Sequence, residues 1–304
     1  MDINPVHVRT LQAIARSGSF SRAGETLHLS QPAISHHVRH LEREVGVPLL
    51  VRRGRRASPT EAGALLLDHA GRAFKVLDEA REAIQRLRGR VAGRVTVGTG
   101  ATASIYLLPG LLRRLRARYP QLDLVVVTGN AGDIAAAVSR GELDVGVVTL
   151  PVPAGRGLAV SLFYVDRLVA IAPPGRRWKR RAPMTAAELA REPVILYERG
   201  GTIRRVVDDW FRRGRATPRV VMELGNAEAT KKLVGAGLGL SVVSEIAVRS
   251  DVRAGALSLI PLRPALHRRI GIVRRRDRAP RPALQAVLTA LESAAKRARA
   301  GAQP

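Results

Sequence analysis

Apolar positions in the first part of the chain recur at helical spacing in short bursts. Val6, Leu11, Ile14 and Ala15 give an apolar face to a helix running from about Pro5 to Arg16, ended by Ser17-Gly18-Ser19. A second helix is predicted from Ser21, as its N-cap, to about Leu27. Ser30 caps a third, with Gln31 and Pro32 in its first turn, where proline's missing N–H costs little. Ala33, Ile34, Val38, Leu41 and Val45 form the buried stripe of that helix, so Gln31, Ser35, His36, Arg39 and Arg43 face outward. Gly46-Val47-Pro48-Leu49-Leu50-Val51 and the run Arg52-Arg53-Gly54-Arg55-Arg56 then read as a hairpin with a basic tip.

The period lengthens beyond this point. Ser58-Pro59-Thr60-Glu61 fits a capping box with proline at the first helical position. Leu66, Ala70, Ala73, Leu77, Ala80, Ile84 and Leu87 follow at alternating spacings of four and three, the seam of a coiled coil. Such a seam is met either by the helix's own domain or by a second copy, and its regularity before the Gly89 hinge favours the second copy. From residue 91 on, strand-like runs alternate with amphipathic helices, the α/β signature. Arg94–Gly98, Leu122–Val127, read as a second buried strand, and Val145–Val148 are strands. Leu107, Leu108, Leu111, Leu112 and Leu115 lie on one helix, and Arg269–Val273 leads to a closing helix from Pro282. Three regions result: 1–58, a linker helix 59–88, and an α/β remainder 91–304.

Composition adds limits. The 304 residues contain no cysteine, which excludes disulfides, cysteine-based zinc sites and thiol catalysis. Met1-Asp2-Ile3-Asn4 is not a basic stretch followed by an apolar run, and no apolar stretch approaches the ~20 residues of a membrane span. The expectation is a cytoplasmic protein with no membrane partner. The net charge of +26 favours polyanionic partners but does not locate a site. Residues 1–90 carry 15 basic and 9 acidic residues and the rest 36 and 16, so most of the excess lies outside the helical N-terminal part.

Position carries more than total charge. Two helices joined by a tight turn, the second with an exposed hydrogen-bonding first turn, form a helix-turn-helix arrangement. Glutamine, serine and arginine there suit base edges and phosphates. A basic hairpin beside them suits the backbone rails or a minor groove. Taken separately, a plain helical hairpin and a solvated basic loop explain the same patterns.

The joint pattern is narrower. Phe20-Ser21-Arg22-Ala23-Gly24, Leu29-Ser30-Gln31-Pro32-Ala33-Ile34-Ser35, Leu41-Glu42, Gly46-Val47-Pro48-Leu49-Leu50, Arg52-Arg53 and Thr60-Glu61-Ala62-Gly63 stand in order and at matching spacing. Over about 60 residues this resembles the N-terminal domain of LysR-type transcriptional regulators. Gly24 stands where alanine is usual, which loosens the second helix. His36-His37 stands where arginine and glutamine are frequent, which changes base preference.

The resemblance implies an all-α winged helix-turn-helix, a linker helix, and a two-lobed periplasmic-binding-protein-like effector domain. Its lobe I would span about 91–161 and 265–304, and its lobe II about 162–264. It implies a homodimer or homotetramer on a double-stranded DNA operator, with the transcription machinery as a further partner. The DNA-reading residues would be Ser21, Arg22, Ser30, Gln31, Pro32, Ser35, His36, Arg39, Arg52, Arg53, Arg55 and Arg56.

Gly98-x-Gly100-x-x-Ala103 also matches a dinucleotide fingerprint, but the acidic residue expected at the end of the second strand is replaced by Thr128-Gly129-Asn130. A helix N-terminus after Thr99 and Gly100, with strand ends nearby, instead suits a small anion such as a carboxylate. Thr99, Gly100, Ala101, Thr102, Thr128, Thr149 and Thr202 are the candidate effector contacts. No catalytic constellation stands out, so neither an enzyme nor a cofactor is expected. His36 and His40 are four residues apart, yet no HExxH glutamate accompanies them and no metal is expected. The alternatives are an NAD(P)-dependent enzyme, tested by cofactor fluorescence, and a nonspecific nucleoid-type binder, tested by competitor DNA.

Overall fold

The computed structural model describes residues 3–53, 56–87, 91–152, 157–175, 178, 182–277 and 279–301. The chain divides into two compact units, Met1–Arg81 and Glu82–Pro304.

The first unit contains α1 (Pro5–Ser17), α2 (Phe20–Leu27), α3 (Gln31–Val45), the antiparallel hairpin β1 (Leu50–Arg53) and β2 (Arg56–Pro59), and most of the long α4 (Glu61–Leu87). Asn4, Ser19 and Ser30 each accept a first-turn N–H and so cap α1, α2 and α3. The cap of α2 is thus Ser19 and not Ser21, which lies inside the helix. Leu11, Ile14, Ile34, Val38 and Leu41 close the core. The apolar face of α1 is turned from the expected one. Val6 is exposed, and Val8 is buried instead.

Gly24 does not loosen α2. A Cβ there would sit 2.6 Å from the Leu29 carbonyl oxygen, so the glycine admits a close backbone approach. The start of α4 also differs from expectation. Pro59 pairs with Leu50 in the hairpin, and Thr60 is the cap, accepting from the Gly63 N–H at 3.0 Å. A Cβ at Gly63 would lie 2.0 Å from the Leu49 oxygen.

The seam of α4 divides. Leu66 and Ala70 pack with Leu67 and Phe74 against Val8, Leu11, Leu41 and Leu49, in the unit's own core. Ala73, Leu77, Ala80 and Ile84 are exposed, Leu77 by 62% and Ile84 by 57%, and the Leu87 side chain lies outside the described residues.

The second unit is one mixed sheet covered by helices. In chain order it runs β3 (Gly93–Thr99), α5 (Ala101–Tyr106), α6 (Pro109–Arg118), β4 (Leu122–Thr128), α7 (Ala131–Arg140), β5 (Val145–Leu150), β6 (Leu158–Ala172), α8 (Ala186–Ala190), β7 (Pro193–Tyr197) and α9 (Thr202–Arg213). It continues with β8 (Arg219–Leu224), α10 (Ala227–Gly235), β9 (Leu240–Ser244), α11 (Glu245–Arg253), β10 (Ser258–Ile260), β11 (Leu266–Arg275) and α12 (Pro282–Arg299). The predicted single leucine helix is two, because Pro109 cannot continue α5 and opens α6 instead.

The sheet order is β4-β3-β5-β11-β6-β9-β7-β8, with β10 beside β6. Two parallel triplets, β4-β3-β5 and β9-β7-β8, flank an antiparallel pair, β11 and β6, that runs through both halves. β4 is an edge strand with Val126 and Val127 exposed, not the buried strand its apolar run predicts. Separate cores form on the two halves. Val95, Val97, Leu108, Phe163, Val287 and Leu291 belong to one, and Leu168, Trp178, Trp210, Phe211 and Leu262 to the other. β6 changes core between Phe163 and Leu168, so the halves share strands rather than part at one point. Ligands in open α/β sheets bind outside the C-terminal strand ends, where topology reverses. Here that region is walled by both triplets.

Candidate DNA-reading surface and ligand cleft

The first turn of α3 is presented to solvent. Gln31, Pro32, His36 and Arg39 are exposed and Ser35 is half-buried. Ser30 is exposed, but its hydroxyl is engaged in capping, accepting from Ala33 N–H at 3.4 Å. Ser21, Arg22 and Arg56 are exposed. The Arg52 and Arg53 backbones lie in β1, while their side chains, and all of Arg55, fall outside the described residues. Among the described residues Arg22, Arg39, Arg43 and Arg56 form no ion pair. Glu42 holds the hairpin to α3, accepting the backbone N–H groups of Leu49 and Leu50 at 2.9 and 3.3 Å.

Behind this face lies a cluster of imidazoles. The ring centroids of His7 and His37 are 4.5 Å apart, those of His7 and His40 4.9 Å, and His36 lies 6.2 to 6.4 Å from His40 and His37. His37 Nδ1 shares a hydrogen bond with the Thr10 hydroxyl at 2.9 Å. Burial first, and the neighbouring imidazoles second, hold His7 and His37 below the usual histidine range, with Glu44 opposing at His7. Among the described residues no group of three or more His, Cys, Asp or Glu is arranged to hold a metal ion.

In the second unit a cavity of about 450 Å³ opens at the strand ends of both triplets. Of the predicted contacts, Gly100, Ala101, Thr102, Thr149 and Thr202 line it. Thr99 does not, because it is fully buried and its hydroxyl donates to the Val147 carbonyl at 2.8 Å inside the sheet. Thr128 is exposed and also outside the lining, which its neighbours Gly129 and Asn130 enter. Gly98 serves packing. A Cβ there would meet Leu143 and Ile134 at 2.6 and 2.7 Å, so the fingerprint glycine is taken up by the seat of α7.

The charged wall went unnoticed in the sequence. Arg204, in the first turn of α9, is buried; it donates to the Tyr197 carbonyl at 2.6 Å and to Glu223 and Asp208 at 2.9 Å. Arg268, on β11, donates from Nε to Asp166 at 2.5 Å, and Ser244 donates to the other Asp166 oxygen at 2.8 Å. Tyr106 on α5 donates to Glu228 on α10, and Lys231 donates to Tyr106 and Asp251 at 3.0 Å. Tyr197 and Arg268 both line the cavity, and their buried atoms Oη and Nη2 have no hydrogen-bond partner among the described residues. Strand alternation points to Arg268, which falls on the buried face between Leu266 and Ile270. Gly201 and Asn130 open α9 and α7 at this cavity without a side-chain cap bond, leaving first-turn N–H groups available. α5, six residues long, contributes little dipole.

A bacterial regulatory helix-turn-helix protein domain of the lysR family matches residues 6–64, and the LysR substrate binding domain matches residues 88–296. A probable RuBisCO transcriptional regulator of Trichormus variabilis is 33% identical over 260 residues, covering 84% of this chain and 77% of the relative. The HTH-type transcriptional regulator CbbR of Xanthobacter flavus is 33% identical over 288 residues, covering 94% and 86%. Of solved structures, a full-length OxyR variant of Pseudomonas aeruginosa superposes with a TM-score of 0.73 at 25% identity, covering 96% and 95% of the two chains. Full-length CbnR complexed with its target DNA gives 0.71 at 21% identity over 96% and 99%, a likeness of fold. Since both parts and nearly the whole length find their counterparts among named transcriptional regulators rather than enzymes, the chain belongs to the LysR family, as a DNA-binding regulator of transcription that carries an effector domain.

Proposed function

We propose that α3 reads base edges through Gln31, Ser35 and His36, while Arg22, Arg39, Arg52, Arg53, Arg55 and Arg56 hold the phosphate rails. We propose equally that the cavity between the two triplets is the effector site. The observation that carries this second part is the convergence of Thr102 and Thr149 from one half, Thr202 and Tyr197 from the other, and Arg268 from the strand they share. A ligand bridging the halves favours one arrangement of them over another, and differential affinity for two states is all that effector control requires. The exposed part of the α4 stripe, Leu77 and Ile84, supports a second copy as the partner that brings two reading heads to one operator.

Footprinting tests the reading face. The first DNA to use is that flanking the chain's own gene, followed by RuBisCO promoters, for which the relatives are named. Gln31→Ala is expected to shift base preference, and Arg39→Ala to weaken all sites alike with a flatter salt dependence. Wild-type footprints in both variants would mean that another face reads DNA.

A further inference from the structure

Besides the strands they share, the two halves of the effector unit meet through a side-chain contact at the cleft wall. The Tyr106 ring, on α5, packs against the core of the first half, which contains Leu107, Leu108 and Leu111. Its hydroxyl leaves that core and donates to Glu228 on α10, in the second half. Lys231, one turn further along α10 and 6% exposed, donates to the same hydroxyl oxygen at 3.0 Å, and its ammonium lies 5.6 Å from the centre of the ring. Ala227 and Val234 fix α10 in a core of the second half. Tyr106 and Glu228 both line the cavity, so the contact is part of the cleft itself.

Neither side depends on this contact for its own polar partners. Lys231 keeps Glu228 at 2.9 Å, and Asp251 and the Ala247 carbonyl at 3.0 Å, all on α10 and α11. Glu228 keeps Lys231 in turn. Tyr106 is half-buried, so a released hydroxyl turns to water. The Asp166–Arg268 pair is the contrast. It is fully buried on β6 and β11, the strands both halves share, and removing either partner leaves a charge uncompensated. A bond whose loss orphans a buried group is structural, whereas one whose loss orphans nothing is free to open and close. Burial first and the Glu228 hydrogen bond second, against the opposing Lys231, hold the Tyr106 phenol above its ordinary range, so it remains a donor at neutral pH.

We propose that Tyr106 is a detachable catch: it is fixed in one half of the effector unit, engages the Glu228–Lys231 pair of the other, and sets the separation of the halves on which operator binding depends. Tyr106 is thus a positioning residue for effector control, and this link to DNA rests on the reading of the cleft as the effector site. A ligand that fits the engaged arrangement better strengthens the catch, and one that fits the parted arrangement better releases it. Either acts only through its differential affinity for the two.

The test compares the full chain with Tyr106→Phe, without added ligand, by hydrogen exchange and by binding to an operator fragment located by footprinting. Amide exchange is expected to rise roughly ten-fold in residues 101–106 and 227–231, which the catch joins, and to stay unchanged in β5, β6 and β11. Operator affinity is expected to change by about five-fold or more. Glu228→Gln retains an acceptor for Tyr106 and is expected to stay close to the wild type in both readouts. No rise in exchange overturns the inference. So does a rise that spreads through the shared strands, because it shows the bond to be structural. A local rise with unchanged operator binding overturns the link to DNA. Thr149→Trp separates that result from a failure of the effector reading, because Thr149 lines the cavity away from the catch residues. A changed footprint in Thr149→Trp keeps the effector site, and an unchanged one brings down the reading on which the link rests.

Discussion

The exposed face around α3 and the wall of the cleft treat arginine in opposite ways. In the helix-turn-helix unit Arg22, Arg39, Arg43 and Arg56 stand in solvent with no ion pair among the described residues. In the effector unit Arg204 and Arg268 are buried and tied to carboxylates. An exposed, unpaired guanidinium attracts a polyanion and releases counterions when it binds, so it acts through charge. A buried, paired one has lost most of its field and acts through the direction of its remaining N–H groups. Net charge therefore says little about either site. Most of the excess belongs to the half of the molecule whose cleft is not basic.

The sharpest way to break this contrast is by removing a partner. Asp166→Ala leaves Arg268 buried and uncompensated, and is expected to cost about 3–5 kcal/mol, whereas Arg39→Ala changes stability by no more than about 0.5 kcal/mol. Chemical denaturation followed in both variants decides it, and equal costs would end the distinction. DNA binding should rank them the other way. Arg39→Ala is expected to flatten the slope of log affinity against log salt by about 1, while Arg204→Gln leaves that slope unchanged.

Helix caps give a smaller contrast. Ser30 bonds into its helix, so Ser30→Ala is expected to lower stability by about 1 kcal/mol. Asn130 opens α7 without such a bond, and Asn130→Ala should cost only a fraction of that in the ligand-free protein. Urea midpoints of the two variants test the difference.

The smallest effect is in pH, because the histidines are only slightly buried. His7 and His37 have lowered pKa values, so the folded unit binds fewer protons than its unfolded chain. Its stability is present above about pH 6.5 and is lost as pH falls toward the lowered folded values. The effector unit runs the other way. Tyr106, Tyr164, Tyr197 and Lys231 are raised, so their contribution is lost as pH climbs past about 10, while Glu223, held low by the Arg204 hydrogen bond, loses its own only below the ordinary carboxylate range. Thermal scans between neutral and mildly acid pH should show the first unit alone softening, with the slope reduced in His7→Gln. A common acid response would count against the imidazole cluster as its cause.

Local signals were legible wherever they lay within a few residues. The Ser30 cap with Gln31-Pro32, the arginine-flanked hairpin and the strands β3, β5 and β11 were all readable before folding. Errors arose where two residues of equal local merit compete. Ser19 and Ser21 are both good caps, as are Ser58 and Thr60; Ser58 is taken into β2 opposite Val51, which leaves Thr60 to cap α4, and Ser19 stands extended and accepts the Arg22 N–H. Val6 and Val8 likewise differ only in which side of α1 meets the core.

What the sequence by itself determined was the order of parts: three short helices, a basic hairpin, a long helix and an α/β remainder, because caps, turns and periodicity are written in near neighbours. What only the tertiary structure decided was the chemistry of the cleft. Tyr197, Arg204 and Arg268 meet there from β7, α9 and β11, and Asp166 and Glu223, which pair with the two arginines, lie as far as 102 residues away in the chain. Whether a charge is spent or available depends on which carboxylate stands beside it, and strand order, not sequence spacing, sets that distance.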